Sequence, residues 1–139
     1  FERGLYFYQA NDFIGELIYA LAKISVACEE HIANNFNPLN VEQKEELQKT
    51  KTTIVDFINH CLDILEEESF EENYNFYANN EEFLEDFHTM KRQQLKRIQL
   101  YQQSTKASLV YISIVQETQT IVSYTTNIMK VNRKLIQNS

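Results

Sequence analysis

The sequence contains few of the residues that interrupt regular structure. Its 139 residues include two glycines, one proline and no tryptophan. Hairpin turns, phosphate-binding loops and dinucleotide fingerprints all require glycine at fixed positions, so hairpin-rich β folds and glycine-loop nucleotide enzymes are nearly excluded. The two cysteines lie far apart and make no disulfide framework, and reduced thiols of a cytosolic protein explain them. These absences favour a helical domain.

Long apolar runs are missing as well. The longest, Leu17 to Cys28, has 12 residues and contains Lys23, whereas a helix that crosses a bilayer needs about 20. With 43% apolar and 24% charged residues, the chain can form a core, and its length is that of one domain. We therefore predict a single soluble, all-α domain over residues 1–139.

Charge is divided unevenly along the chain. Residues 1–86 contain 19 acidic and 5 basic residues, whereas residues 87–139 contain 1 acidic and 8 basic residues. The net charge of the chain is −7. The two halves lie side by side in a bundle, so we expect ion pairs between helices. A net acidic chain lacks the basic face of a non-specific nucleic-acid binder, so we predict no nucleic-acid partner.

Apolar side chains at intervals of three and four predict a first helix from about Gly4 to Ala33. Pro38 and the asparagines of NNFNPLN then end it. A second helix should begin after Asn40, because Gln43 three residues later completes a capping box. The stripe of the first helix that should face the core comprises Phe7, Ala10, Ile14, Leu17, Leu21, Ile24, Cys28 and His31.

The same capping signal predicts where a third helix begins. Ser69 and Glu72 have capping-box spacing, and Asn79 and Asn80 would kink the helix in its middle. Acidic residues in its first half and basic residues in its second half complement a helix dipole. The basic residues are Lys91, Arg92, Lys96 and Arg97.

A fourth helix should begin near Ser104 or Thr105. Short loops make neighbouring helices antiparallel, so the sequence predicts an up-down-up-down bundle of four long helices. The heptad positions of the fourth helix are Tyr111, Ile114, Thr118, Ile121, Thr125, Ile128, Asn132 and Leu135.

The chain offers little for catalysis. No serine lies in a glycine-flanked elbow and no cysteine–histidine pair has an orienting group, so we predict that the protein is not an enzyme. A di-iron bundle needs two Glu-x-x-His motifs, and the chain has one, Glu85 with His88. Cys28 and His31 have the spacing for shared zinc ligation, although both also fall on the apolar stripe.

Acidic residues four apart give another metal pattern. Asp12 and Glu16 share one face of the first helix, and NDFIGEL resembles the segment by which PhoU-type helical bundles hold metal clusters on their surface. YISIVQETQTIVSYTTNI resembles the closing helix of that family, but Gln119 and Ser123 stand at its two acidic positions. The resemblance therefore implies a PhoU-like bundle with at most a partial site for a divalent or ferric ion. Its residues would be Asp12, Glu16, Glu82 and Asp86.

A narrower resemblance covers most of the chain. A tyrosine-rich start, CEEHIANNFNPL, KRQQLKRI and YISIVQETQTIV occur in an order similar to the PhoU-like C-terminal cytosolic domain of bacterial sodium/phosphate cotransporters. This resemblance implies a regulatory domain of a sodium-dependent phosphate transporter, at the cytoplasmic face of the inner membrane. Its partners would be the membrane transporter domain of the same chain and, as an option, a second copy. A chain that begins at Phe1 fits a piece of a longer membrane protein.

Two alternatives remain open at this stage. One is a metal-binding bundle, an enzyme or storage protein, which requires Glu85 and His88 to face inward together with another histidine. The other is a free-standing helical adaptor that dimerises through its apolar stripe. Composition and spacing do not separate these alternatives from a transporter domain.

Overall fold

The computed structural model describes residues 1–101 and 103–139. Over these ranges the chain is all-α, as predicted, with four long helices and one short one and no β-strand. Among the described residues, no helix has both the length and the apolar character needed to cross a membrane. The helices are α1 (Glu2–Ala33), α2 (Val41–Glu67), α3 (Tyr74–Ala78), α4 (Glu81–Tyr101) and α5 (Thr105–Gln137).

Two of the predicted helix starts are confirmed by their caps. The Asn40 side chain accepts a hydrogen bond from the Gln43 backbone N–H at 2.8 Å, and Gln43 Oε1 accepts one from the Asn40 N–H at 2.9 Å. Ser104 Oγ accepts a hydrogen bond from the Ala107 N–H at 3.3 Å. These side chains satisfy backbone donors that have no partner inside their helices.

The predicted third helix is wrong at its start. Glu68 adopts a left-handed conformation with φ of 54°, which ends α2, and the Ser69 N–H bonds back to the Ile64 carbonyl at 3.2 Å. Ser69 is therefore part of the C-terminal closure of α2 and caps no helix. After the short α3, Asn79 takes an extended conformation that separates α3 from α4, so the asparagines end a helix instead of kinking one.

The buried core is formed by α2 to α5. Its aromatic rings fill the space between α2 and α4, where Phe57 and Phe83 stand edge to face with centroids 5.0 Å apart. Within the described ranges α1 supplies no member of this cluster. The members of the buried cluster are Ile54, Phe57, Cys61, Ile64, Phe70, Tyr77, Phe87, Tyr111, Val115, Val122 and Met129.

The first helix packs along α5 in the opposite direction. Phe13 lies 5.9 Å from Tyr124 between ring centroids, and Lys23 Nζ lies 3.7 Å from Glu117 Oε1. The side chains of α1 that are buried or half-buried there recur every four and three residues, as in a coiled-coil seam. They include Tyr6, Ala10, Phe13, Leu17, Ala20, Ile24, Ala27 and His31.

Ion pairs join the acidic and basic halves of the chain, as the charge distribution predicted. At one end of the bundle Arg97, only 4% exposed, bonds to the carboxylates of Glu46 and Glu42. At the other end Arg133 Nε lies 2.7 Å from Glu71 Oε1, and this contact lowers the pKa of Glu71.

The buried Arg97 belongs to a polar cluster that links three helices. Its guanidinium donates to Gln94 Oε1 at 2.9 Å. The Tyr111 hydroxyl, on α5, donates to the carboxylate of Glu46, on α2. Burial opposes the charge on Arg97, yet its hydrogen bonds to Glu46 and Glu42 raise its pKa. Because every member is paired, the cluster fixes the register of α2, α4 and α5 at a low net cost.

Replacing Arg97 with leucine should destabilise the fold by about 3 kcal/mol, since it leaves the Glu46 carboxylate without its buried partner. Urea unfolding followed by circular dichroism measures this loss, and the exposed neighbour Lys96→Leu serves as control. The double variant Arg97→Leu with Glu46→Leu should recover part of the stability. A loss below about 0.5 kcal/mol for Arg97→Leu would contradict the role of the cluster.

Alkaline pH should destabilise the fold through Cys61. Burial raises the pKa of this thiol from 9.0 to about 12, so the unfolded chain ionises at a lower pH than the folded chain. A raised folded-state pKa gives stability that is lost as pH rises. Between about pH 8 and pH 10 the free energy of unfolding should fall more steeply for the wild type than for Cys61→Ala. Equal slopes in urea unfolding would contradict the burial of the thiol.

Candidate functional site

The apolar stripe predicted for α1 is only half buried. Ala10, Leu17 and Ile24 face α5, whereas Phe7 and Leu21 are exposed. The prediction that the whole stripe faces the core is therefore wrong. Because α1 lies outside the buried cluster and packs along a single helix, one seam is covered and the neighbouring apolar face is left free.

The exposed apolar residues of α1 form a second seam with the same spacing. Its members, which we call the outer heptad, alternate at intervals of four and three along the helix, and none of them is charged. Its five large apolar side chains are 43% to 74% exposed. An α-helix that is apolar on more than its core-facing side is normally buried by further protein. The outer heptad consists of Phe7, Asn11, Ile14, Ile18, Leu21, Ser25, Cys28 and Ile32.

An apolar groove of about 540 Å³ runs beside the outer heptad, between α1 and α2. Leu21 and Ile24 of α1 form one wall, Val55 and Ile58 of α2 form the other, and Ile121 belongs to the α5 floor. Lys44 and Lys51 of α2 also line it. The groove and the outer heptad therefore make one continuous apolar surface with a basic border.

Both glycines of the chain lie on α1 and are exposed. A Cβ added to Gly4 or Gly15 would meet no atom of the described residues within 4 Å. Glycine inside a helix costs about 0.5–1 kcal/mol relative to alanine. No contact within the described part of this chain requires that cost.

The four carboxylates predicted as a metal site are not assembled into one. Asp12 and Glu16 on α1, and Glu82 and Asp86 on α4, are all exposed. Among the described residues, no three histidine, cysteine, aspartate or glutamate side chains are grouped so that they could hold a metal ion. Each pair offers two carboxylates on one helix face, fewer ligands than a calcium or magnesium site takes.

A lysine of α4 is bonded to one of the two positions where the family resemblance expects acidic residues on the last helix. Lys91 Nζ donates to Gln119 Oε1 at 3.0 Å and to Gln116 Oε1 at 2.6 Å. Glutamine in place of a carboxylate, with an ammonium group bonded to it, disfavours a second positive ion at this position.

The other residues that were predicted as metal ligands form different contacts or point in different directions. Glu85 and His88 are exposed, and Glu85 pairs with Arg92 at 3.1 Å, so the core metal site that the storage or enzyme alternative requires is contradicted. His31 Nε2 lies 2.7 Å from the Asn37 carbonyl oxygen, which ties the loop after α1 to the helix. Cys28 is a free thiol that is half-buried, and burial raises its pKa.

Asp86 lines a smaller cavity of about 220 Å³ between α2 and α4. Lys49 and Glu46 lie on its wall, and the Thr50 hydroxyl there donates to the Glu46 carbonyl at 2.9 Å. Its mixed charges and internally bonded hydroxyl provide no set of converging groups for one class of reaction.

Comparison of the chain with protein families, with curated proteins and with solved structures gives no match in any of the three. The features that sequence reasoning missed are the outer heptad and the Arg97 cluster. The 3-4 spacing of the outer heptad was visible in the sequence, since half of it was included in the predicted stripe. Nothing local marks Arg97 as buried, because its carboxylate partners lie on another helix.

We expect Mn²⁺ to bind this chain with a dissociation constant above about 1 mM, because each exposed carboxylate pair supplies only two ligands. Isothermal titration calorimetry with Mn²⁺ measures the affinity, and the double variant Asp12→Asn with Glu16→Gln is the control. Binding of one equivalent at micromolar concentration, lost in the double variant, would show that the pair on α1 is a metal site after all.

Proposed function

We propose that the chain is a non-enzymatic regulatory domain that acts through protein contacts on the outer heptad of α1, in a sodium-dependent phosphate transporter. The observation that carries the proposal is the exposure of five large apolar side chains on one face of a helix whose neighbouring seam is already buried. Exposed contiguous apolar patches of this kind mark protein contact sites.

The fold supports this role because the contact surface and the core are separate. The buried cluster lies in α2 to α5, so a partner can bind or leave α1 without disturbing that packing. Rigid α-helices present a contact surface more accurately than loops do.

Only the sequence resemblance supports the assignment to a transporter and to phosphate as its substrate. The segments that carry the resemblance lie on α1, at the loop after α1, on α4 and on α5, so they come from three of the four long helices. In this proposal the membrane transporter domain belongs to the same protein, and the helical bundle lies on its cytoplasmic side.

The double variant Phe7→Asp with Ile18→Asp should alter regulation of transport, since two charges on the outer heptad disfavour an apolar contact. Uptake of radiolabelled phosphate with and without sodium, in cells that express the full-length gene, is the measurement. We expect the response of uptake to external phosphate to change about fivefold or more, the usual lower range of coupling between two sites.

The control is Leu109→Asp, an exposed leucine on α5 outside the outer heptad. Both mutated positions of α1 are exposed as well, so stability should change by less than about 0.5 kcal/mol per substitution. Unchanged uptake and unchanged response in the double variant would contradict the proposal. A full-length gene that encodes no membrane-spanning segment would contradict the assignment to a transporter.

A further inference from the structure

The groove between α1 and α2 has the size of a small-molecule site. Its volume of about 540 Å³ lies within the range of about 300–1,000 Å³ that ligand pockets occupy. Nine of its fourteen lining residues are apolar. Its two threonine hydroxyls are already used inside their own helices. Thr50 donates to the Glu46 carbonyl at 2.9 Å, and Thr118 donates to the Ile114 carbonyl at 2.7 Å. Most of the groove therefore offers a ligand apolar contacts only.

The polar residues of the groove are concentrated toward one end of its α2 wall. Lys44, Gln48 and Lys51 line it at intervals of four and three residues, the spacing of one helix face. Ammonium and amide groups both donate hydrogen bonds to an anion. Beyond Lys51 the wall becomes apolar, with Val55 and Ile58. The groove thus has one end suited to an anion and one end suited to a hydrocarbon.

The two lysines of the groove have no acidic partner within the described part of the chain. Helix α2 contains seven acidic residues, but none of them stands three or four positions from Lys44 or Lys51. No aspartate or glutamate of the described residues lines the groove either. In a chain with a net charge of −7, this arrangement favours an anionic ligand from outside.

The dimensions of the groove fit one acyl chain and do not fit a partner helix. Along α2 it extends from Lys44 to Ile58, about 21 Å at 1.5 Å per residue. An acyl chain spans half of the hydrocarbon core of a bilayer, about 15 Å, which leaves room for a head group. A helix is about 10 Å wide with its side chains, so 540 Å³ would hold about 7 Å of one, little more than a turn.

We propose that this groove binds a long-chain fatty acid. The carboxylate lies at Lys44, Gln48 and Lys51, and the acyl chain extends between α1 and α2 toward Ile58. This site goes beyond the protein contact proposed for the outer heptad and does not depend on it, because Leu21 is the one residue that the two surfaces share.

Isothermal titration calorimetry with tetradecanoate, below its micelle concentration, tests the site. We expect one molecule per chain, and binding of dodecanoate about tenfold weaker because two methylenes fewer are buried. Val55→Asp, which places a carboxylate in the groove, should weaken binding at least about tenfold. Leu62→Asp is the matched control on α2 outside the groove, since Val55 is 46% exposed and Leu62 54%. Absence of saturable binding to the wild type would overturn the proposal.

The head-group contact has its own test. The double variant Lys44→Gln with Lys51→Gln should weaken binding of tetradecanoate about tenfold, because it removes two charge-assisted contacts. It should leave binding of the neutral tetradecanol unchanged. Lys49→Gln is the control, since this lysine of α2 does not line the groove. Equal affinity of the wild type for acid and alcohol, or no loss in the double variant, would show that the lysines bind no carboxylate and would overturn the proposal.

The direction of the acyl chain is tested with tetradecanoate that carries a nitroxide near its methyl end. In methyl NMR spectra the label should broaden the signals of Ile58 and Ile121 more than that of Leu39, which precedes α2 at the lysine end of the groove. The reverse order would show that the carboxylate lies away from the lysines, contrary to the proposal.

A further variant separates this inference from the proposed function. Phe7 and Ile18 do not line the groove, so Phe7→Asp with Ile18→Asp should bind tetradecanoate as the wild type does. Loss of binding in this variant would place the fatty acid on the outer heptad and overturn the groove as its site. Retained binding in a variant whose phosphate uptake and response are unchanged supports the inference and contradicts the regulatory role.

Discussion

Helix α5 holds the structure together because it packs against other helices on two sides. One face closes the aromatic core against α2 and α4, and an adjacent face forms an antiparallel seam with α1. A helix has room for two such apolar stripes only if few of its positions are charged. Accordingly, the acidic Glu117 on α5 is paired with Lys23 across the seam. The exposure of α1 follows from this arrangement, since α1 touches the body of the protein through α5.

The polar cluster around Arg97 and the aromatic packing between α2 and the first turns of α4 contribute differently to assembly. Apolar contacts supply most of the driving force but tolerate sliding of one helix along another. Paired polar groups tolerate little sliding, because a shift leaves buried donors without acceptors. The contact between Arg97 and Glu46 therefore fixes how α4 lies along α2, and Tyr111 extends the same constraint to α5.

Local signals in the sequence predicted the features that depend on nearby residues. The capping box of Asn40 and Gln43 was correct because both hydrogen bonds form within one helical turn. The same signal at Ser69 was wrong, because Glu68 turns left-handed and the Ser69 N–H closes the preceding helix. A capping pattern indicates that a helix can start at a residue. Whether a helix does start there depends on whether that residue already closes the preceding helix.

The sequence by itself determined the all-α class, the positions of three of the four long helices and the charge pairing between the two halves, because helical periodicity and composition are properties of the chain alone. Only the tertiary structure decided which apolar residues of α1 are covered. Periodicity gives the angle of Leu17 and Leu21 around the helix but not which neighbour stands there. That depends on where α2 and α5 settle, and here they leave Leu21 at an open groove while Leu17 lies against α5.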